Sequence, residues 1–380
     1  MDNTADPQWQ LIEVGGNAIE VRTSRRPPQG GRRLWPSVGE YPVYDEFFYG
    51  VMLQDEERNK LFREAITLQA EGRVVLELGV GPDLLWTSLA AESGAAKVFA
   101  VEVLEESARV ARERARRIGP HVTVLYGDAT QVVLPQDAEL CIAELVGAIG
   151  GAEGIAAAVD DARRRHLRPG APVVPHRVRT PIAALGARAL LGDAPALHPE
   201  AASYTAQVFD SVESIFDVRM CLSGVSYADL LTDTAMLEDL NLTSGAYDNP
   251  REIHLKVTRP GEIDSFVLWL QLQCAASQPY LDSMDTDTNW TPVLVPFDTD
   301  RAVRVEVGDT LAVTATRRLY DEVHPEWSFA ATVRHRDGTV TPVRAECPYA
   351  NGPVRASWLH RALFRDPVPT GATSESSGTR

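Results

Sequence analysis

From residue 73 onward the chain alternates short, almost wholly apolar runs with longer stretches whose apolar positions recur every three or four residues. The runs at 74–78, 97–101, 122–126 and 140–143 have strand length, and the stretches at 84–92, 104–118 and 155–166 read as helices, the last stopped by Arg168-Pro169-Gly170. Strands that are apolar throughout and separated by helices predict a parallel sheet covered on both faces. Upstream, Met52, Leu53, Leu61, Phe62, Ala65 and Ile66 fall at helical spacing within 41–70, with Asp55 and Glu56 suited to the helix dipole. Residues 1–40 predict a strand or two and a loose basic linker containing Pro27-Pro28 and Gly30-Gly31. Beyond about 181 the texture changes to alternating runs at 253–257, 266–274, 302–307, 310–314 and 329–334, separated by turns such as Arg259-Pro260-Gly261 and Arg336-Asp337-Gly338. This predicts an antiparallel, barrel-like domain, with a partly helical stretch at 227–240. The expected organisation is an N-terminal segment (1–70), a Rossmann-like domain (71–180), a β-barrel domain (181–365) and a Ser/Thr/Gly-rich disordered tail (366–380).

The 380 residues suffice for two full cores, and no apolar run approaches a membrane span. The polar start of the chain does not read as a signal peptide. Cys141, Cys221, Cys274 and Cys347 are scattered without a CxxC pair, so neither a zinc site nor a disulfide framework is expected, and a reducing cytoplasm is the default. A formal net charge of −16 disfavours nucleic acid and favours cationic substrates.

The candidate chemistry begins at Glu77-Leu78-Gly79-Val80-Gly81-Pro82-Asp83, between the first apolar run and a helix. Gly79 and Gly81 allow a sharp turn and close approach of a ligand. Glu102, about twenty residues on at the end of the second strand, is placed to accept hydrogen bonds from ribose hydroxyls. That pattern fits NAD or S-adenosyl-L-methionine. Asp83 in place of a third glycine weakens the pyrophosphate reading, and Glu77 adds a carboxylate that suits the methionine cofactor. Gly127-Asp128-Ala129 follows the third strand.

In these pieces, and from about residue 41 to 343, the chain resembles the protein arginine methyltransferase family. Met52 to Arg58 is similar to the family's N-terminal helix, which implies that Arg58 pairs with the carboxylate of S-adenosyl-L-methionine and that Met52 lies against the cofactor. The resemblance assigns Glu77, Gly79, Gly81, Glu102, Asp128, Ala129 and Glu144 to the cofactor site, with Asp128 toward the adenine. The segment from Glu144 to Glu153 resembles the double-Glu loop, and Thr288-Asn289-Trp290 resembles a Thr-His-Trp loop in the barrel. Glu144, Glu153 and Asn289 are thus the candidate catalytic residues, and Tyr41, Tyr44, Glu144, Glu153 and Trp290 the candidate substrate contacts. The resemblance also implies a homodimer formed through an arm, here at about 205–245, with Tyr227, Leu230, Leu231 and Leu237 as its apolar face.

The double-Glu reading has a physical basis of its own. A guanidinium has a pKa above about 12 and delocalised lone pairs, which make it a poor nucleophile. Two carboxylates in one pocket can hold it in line and draw its charge away from the attacking nitrogen. Asn289, standing where the family has histidine, cannot act as an imidazole base. Basic residues are nearly all arginine, with lysine only at 60, 97 and 256, which suggests a GC-rich bacterial coding bias. Together with the mostly small residues between the glutamates (Ala148, Ile149, Gly150 and Gly151), this favours a small acceptor, free L-arginine or a related guanidino compound. Protein arginine is the alternative acceptor. A catalytically inactive binding relative and a nicotinamide-dependent enzyme are the competing classes.

Overall fold

The computed structural model describes residues 7–14, 16–26, 31–36, 46–192, 194–211, 218–299, 301–319, 323–347 and 357–366. Tyr41, Tyr44 and the expected tail from 367 lie outside the described residues. The chain begins with an antiparallel hairpin, β1 (Gln8–Val14) and β2 (Asn17–Thr23), followed by the short β3 (Arg33–Pro36). The helix expected across 41–70 is two helices, α1 (Glu46–Gln54) and α2 (Glu56–Gln69). They part at Asp55, whose backbone is extended and whose carboxylate accepts the Arg58 N–H at 2.9 Å. Asp55 therefore caps α2 rather than continuing a helix.

The nucleotide half follows as β4 (Val74–Leu78), α3 (Leu85–Glu92), β5 (Lys97–Glu102), α4 (Glu105–Ile118), β6 (Val122–Tyr126), β7 (Leu140–Ala143), α5 (Ile155–Arg165) and β8 (Val173–Val174). Its five strands are all parallel, in the order β6-β5-β4-β7-β8. The central strands are buried on both faces, as their unbroken apolar sequence predicts. Ala108, Ala111 and Ala115 give α4 a small-residue face that settles on the sheet, while its Glu and Arg residues face outward.

At β9 (Arg177–Leu185) the chain turns antiparallel. Helices α6 (Ala187–Leu191) and α7 (Pro199–Ser211) come next, then β10 (Met220–Ser223), β11 (Ala235–Asn241), β12 (Ala246–Asp248) and β13 (Glu252–Lys256). The run expected at 266–274 is broken into β15 (Ser265–Leu268) and β16 (Gln271–Gln273), after the short β14 (Gly261–Ile263). The rest is β17 (Leu281–Asp282), β18 (Val293–Pro296), β19 (Val303–Val305), β20 (Thr310–Leu319), β21 (Pro325–Arg334), β22 (Val340–Cys347), α8 (Trp358–Leu363) and β23 (Phe364–Arg365). One large sheet runs β12-β11-β9-β15-β18-β10-β3, with β16 branching from β9, and the sheet β13-β20-β21-β22 closes over it. Between them Ile182, Phe266, Phe297, Val313 and Phe329 form the barrel core.

The stretch expected to be helical and to form an arm is different. Tyr227–Asp229 is a single tight turn, and Ala235–Asn241 is strand β11 of the large sheet. Leu230 and Leu237 are buried in the chain's own cores, Leu231 is half-buried against the barrel core, and the Tyr227 hydroxyl donates to Asp282 at 2.6 Å. The three leucines assigned to the arm's apolar face are therefore turned inward, while Tyr227 stays exposed. The helical insertion between β9 and β10 is α6–α7, and α7 packs on β1, β2 and β3 in a cluster shared with α8. Leu237→Ala is expected to cost about 2–5 kcal/mol in urea unfolding, as for a fully buried leucine. A change below about 0.5 kcal/mol would return Leu237 to an intermolecular face.

Candidate active site

The site is built at the carboxyl ends of β4, β5 and β7, where ligands bind in open parallel sheets. Gly79 and Gly81 take left-handed backbone angles, φ +70° and +62°, which side-chain-bearing residues rarely adopt. A Cβ at Gly79 would lie 2.9 Å from the Leu145 side chain. Glu102 turns back toward the loop: its two carboxylate oxygens accept the N–H groups of Gly81 and Leu104, each at 2.8 Å. Those bonds fix the carboxylate at the lip of the glycine turn. Glu77 is 1 % exposed and accepts a hydrogen bond from the Thr87 hydroxyl. Burial pushes its carboxyl up to about 8, against the Thr87 hydrogen bond and with help from the charges of Glu144 and Glu102.

Opposite these carboxylates stands Arg58, 3 % exposed. One guanidinium nitrogen donates to Glu144 at 2.7 Å, and another donates to the Met52 carbonyl at 3.1 Å and the Asn59 amide oxygen at 2.9 Å. Trp86 lies 5.3 Å from the guanidinium carbon, Phe62 and Trp290 each 5.9 Å. The Arg58 Nε is buried with no partner. Glu77 thus lies within range of the charges of both Glu144 and Glu102, and Glu144 is held by Arg58, a buried cation.

The second glutamate reaches the site by another route. After Glu144 the chain leaves β7 and folds against the barrel. Ile149 and Ala152 sit in the barrel core, and Gly150 and Gly151 press against β9 and β11. A Cβ at Gly150 would come 2.3 Å from Val178, and one at Gly151 2.8 Å from a Glu238 oxygen. The small residues therefore serve close packing, not an enlarged pocket. This removes the loop's composition as support for a small acceptor. Glu153 follows two residues later, half-buried, on the side of Gly147.

The barrel loop completes the arrangement. The Trp290 indole donates to the Val146 carbonyl at 2.7 Å. Asp55 accepts the Thr288 hydroxyl at 2.5 Å and the Asn289 N–H at 2.9 Å, through the oxygen not used to cap α2. Asn289 is thus held by its backbone, and its side-chain oxygen is buried without a partner. Asp128 is exposed, its carboxylate accepting from the N–H and hydroxyl of Thr130, each at 2.7 Å. The neighbouring Ala129 carbonyl accepts from Arg165 at 2.6 Å.

Arg58, Glu77, Gly79, Gly81, Glu102 and Glu144 are brought together, with Met52 and Trp290 against Arg58, Asn289 on Asp55, and Glu153 beside Gly147 of the loop. Sequence reasoning missed the second role of Asp55, which it read as a helix-dipole residue. Val103, next to Glu102 in the chain, is 60 % exposed. Sequence reasoning also missed Thr180 and Glu238, which touch the double-Glu loop from strands distant in sequence. Among the described residues no group of three or more His, Cys, Asp and Glu could hold a metal ion, and no helix is long and apolar enough to cross a membrane.

No family model matches the chain. It is similar to protein arginine N-methyltransferase PRMT10 of Oryza sativa subsp. japonica, 28% identical over a 240-residue alignment, with 56% of this chain and 62% of that protein covered. It is also similar to the probable histone-arginine methyltransferase CARM1 of Oryza sativa subsp. indica, 34% identical over 134 residues, 33% of this chain and 24% of the relative. The chain thus spans under two thirds of the length of these curated relatives. The solved structure of Arabidopsis thaliana protein arginine methyltransferase 10, described as uniquely open, aligns with a TM-score of 0.63 at 18% identity, over 80% of this chain and 97% of that one. The Trypanosoma brucei PRMT1 enzyme-prozyme heterotetrameric complex with AdoHcy gives 0.59 at 17% identity, over 79% and 98%. These likenesses establish the expected fold, a Rossmann-like parallel sheet followed by an antiparallel barrel.

The raised carboxyl of Glu77 sets a pH dependence. Between its ordinary value of 4.5 and about 8 the folded chain keeps a proton that the unfolded chain has lost, so stability falls as pH rises through that window. Glu77→Gln removes this loss. The variant's melting temperature should exceed that of the parent by a margin that grows from pH 5 to pH 9. A margin independent of pH would show that Glu77 does not titrate there.

Proposed function

We propose that this chain transfers a methyl group from S-adenosyl-L-methionine to a guanidino nitrogen of arginine. The observation that carries the reading is that Glu144, held by Arg58 at the end of β7, opens a loop that is pinned to the barrel at Gly151 and leads to Glu153. The cofactor site fits the same reading. Glu144 pairs with a buried arginine whose Nε lacks a partner, Glu77 feels the charges of Glu144 and Glu102, and Glu102 binds the turn made with two left-handed glycines. S-adenosyl-L-methionine, when bound, supplies an electrophilic methyl sulfonium. Gly79 and Gly81 let the backbone approach it, Glu102 accepts from the ribose hydroxyls, and Asp128 and Ala129 lie toward the adenine. The free Nε of Arg58 is the donor for the amino-acid carboxylate, and Met52 with Val103 supplies apolar cover. Glu144 has one oxygen engaged by Arg58 and presents the remainder to the guanidinium, while Glu153 holds it from the other side. Together they orient the acceptor and draw its positive charge toward the nitrogens that do not attack. Asn289 supplies no base, which leaves the two carboxylates as the proton acceptors of the site.

The acceptor is either free L-arginine or a protein arginine. The low-lysine composition keeps free arginine in view, whereas the names of the relatives favour protein arginine. Since the small loop residues are used for packing, peptide arginine fits at least as well. Mass spectrometry after incubation with S-adenosyl-L-methionine, with free L-arginine and an arginine-rich peptide in parallel, decides between them. Binding of S-adenosylhomocysteine without turnover of either acceptor would make the chain an inactive binding relative. A thermal shift with NAD and none with S-adenosylhomocysteine would place it among nicotinamide enzymes.

Glu144→Gln keeps shape but removes charge and presents an NH2 group where an acceptor is needed. Turnover at saturating cofactor and acceptor is expected to fall by about 10²–10³. Glu153→Gln should be comparable, and the double variant less than multiplicative because the pair acts as a unit. A loss under about threefold in both would defeat the guanidino reading. Glu102→Ala is expected to cost about 1.5–3 kcal/mol of S-adenosylhomocysteine affinity by calorimetry, and unchanged affinity would remove Glu102 from the cofactor site.

A further inference from the structure

We propose that Glu238 is a positioning residue for Glu153, acting through the backbone of the double-Glu loop; this rests on the reading of Glu144 and Glu153 as the groups that hold the guanidinium. A regular strand sends successive side chains to opposite faces. β11 departs from this. Met236 is opposite Pro181 and Glu238 opposite Thr180, which makes Leu237 the extra residue of a bulge. Bulges re-aim side chains, and here both Leu237 and Glu238 are buried, at 0 % and 1 % exposure. A carboxylate so deeply buried is costly unless hydrogen-bonded.

Its partners lie in the active-site loop and the neighbouring strand. One Glu238 oxygen accepts the Gly151 N–H at 2.7 Å and the Thr180 hydroxyl at 2.6 Å. The Thr180 hydroxyl oxygen in turn accepts the Gly150 N–H at 2.9 Å. Two consecutive N–H groups of the loop are thus bound by a directly paired Glu–Thr couple. The Gly151 carbonyl then accepts the Gly154 N–H at 3.0 Å, which closes the turn that carries Glu153. Fixing Gly151 therefore fixes the base of that turn. The buried carboxyl group, its pKa raised by desolvation, accepts from both donors through a single oxygen. The bare glycines are the matching half, since a side chain at either would collide with Val178 or Glu238.

The test compares Glu238→Ala, Glu238→Gln and Thr180→Val in the parent and in a Glu153→Gln background. The readouts are the turnover rate constant at saturating cofactor and arginine acceptor, and S-adenosylhomocysteine affinity by calorimetry. Glu238→Ala is expected to slow turnover by about tenfold or more, as small misplacements of a reacting group do, with affinity changed less than twofold. Glu238→Gln retains an acceptor oxygen and should restore most of the rate. Thr180→Val, close in volume to the parent residue, should show an intermediate loss and serves if Glu238→Ala fails to fold. With Glu153 already replaced, Glu238→Ala should add less than twofold. Near-parental turnover in Glu238→Ala or Thr180→Val would overturn the proposal. So would equal fold-losses in both backgrounds, the mark of general structural damage. Parental turnover in Glu153→Gln alone would take the proposal down together with the reading of the site.

Discussion

The Arg58–Glu144 ion pair is the constraint on which the site depends. A guanidinium 3 % exposed, walled by Trp86, Phe62 and Trp290, can exist there only with its charge answered. Breaking such a pair from one side typically costs about 3–5 kcal/mol, because a buried charge is left behind. The pair joins α2, which lies outside the parallel sheet, to the end of β7 inside it. Its geometry is set by the Asp55 cap, which begins α2 three residues before Arg58 and so determines where that side chain leaves the helix. The same carboxylate binds the barrel loop. Helix start, ion pair and barrel loop are thus three consequences of one aspartate with an extended backbone.

The two lobes do not meet across a solvent-filled cleft at this seam. Val178, Leu240, Leu270, Leu272 and Trp290 of the barrel lobe belong to the same apolar cluster as the parallel sheet, and Ile149 and Ala152 of the double-Glu loop belong to the barrel core. Each lobe lends residues to the core of the other. Relative movement of the lobes would expose both sets at once, so the seam is part of the folded core and not a docked interface.

How much of this could be read from the chain depended on how local the determinant was. The parallel sheet was legible because a strand buried on both faces is written as an unbroken apolar run. Glu77, Gly79, Gly81 and Glu102 were legible because the turn after a strand brings nearby positions together. Residues 227–240 were misread as helical because the bulge at Leu237 places two buried residues side by side, Leu237 and Glu238, which breaks the alternation of a strand. Glu238 itself was invisible: its partner Gly151 lies 87 positions away, and nothing local distinguishes a buried glutamate from a solvated one. The glycines of the loop were noticed and given the wrong reason. Small residues beside a presumed pocket suggested space, whereas the fold fills that space with Val178 and Glu238.

That misreading bears on what limits the acceptor. If Gly150 and Gly151 lined an open cavity, selectivity would lie in cavity size and could be altered by filling it. Because they are in contact with the barrel, any side chain introduced there must displace β9 or β11 before it can reach the acceptor. The loop's path is therefore fixed by packing, and the separation of Glu144 and Glu153 is set by how the barrel seats on the parallel sheet. One glutamate ends a strand of the first lobe, and the other is carried by a turn that the second lobe holds. Under the proposed function, a guanidinium gripped by both senses the register of the two lobes. Gly150 and Gly151 have no room for side chains that could choose among acceptors, so under that reading selectivity falls to groups beyond them.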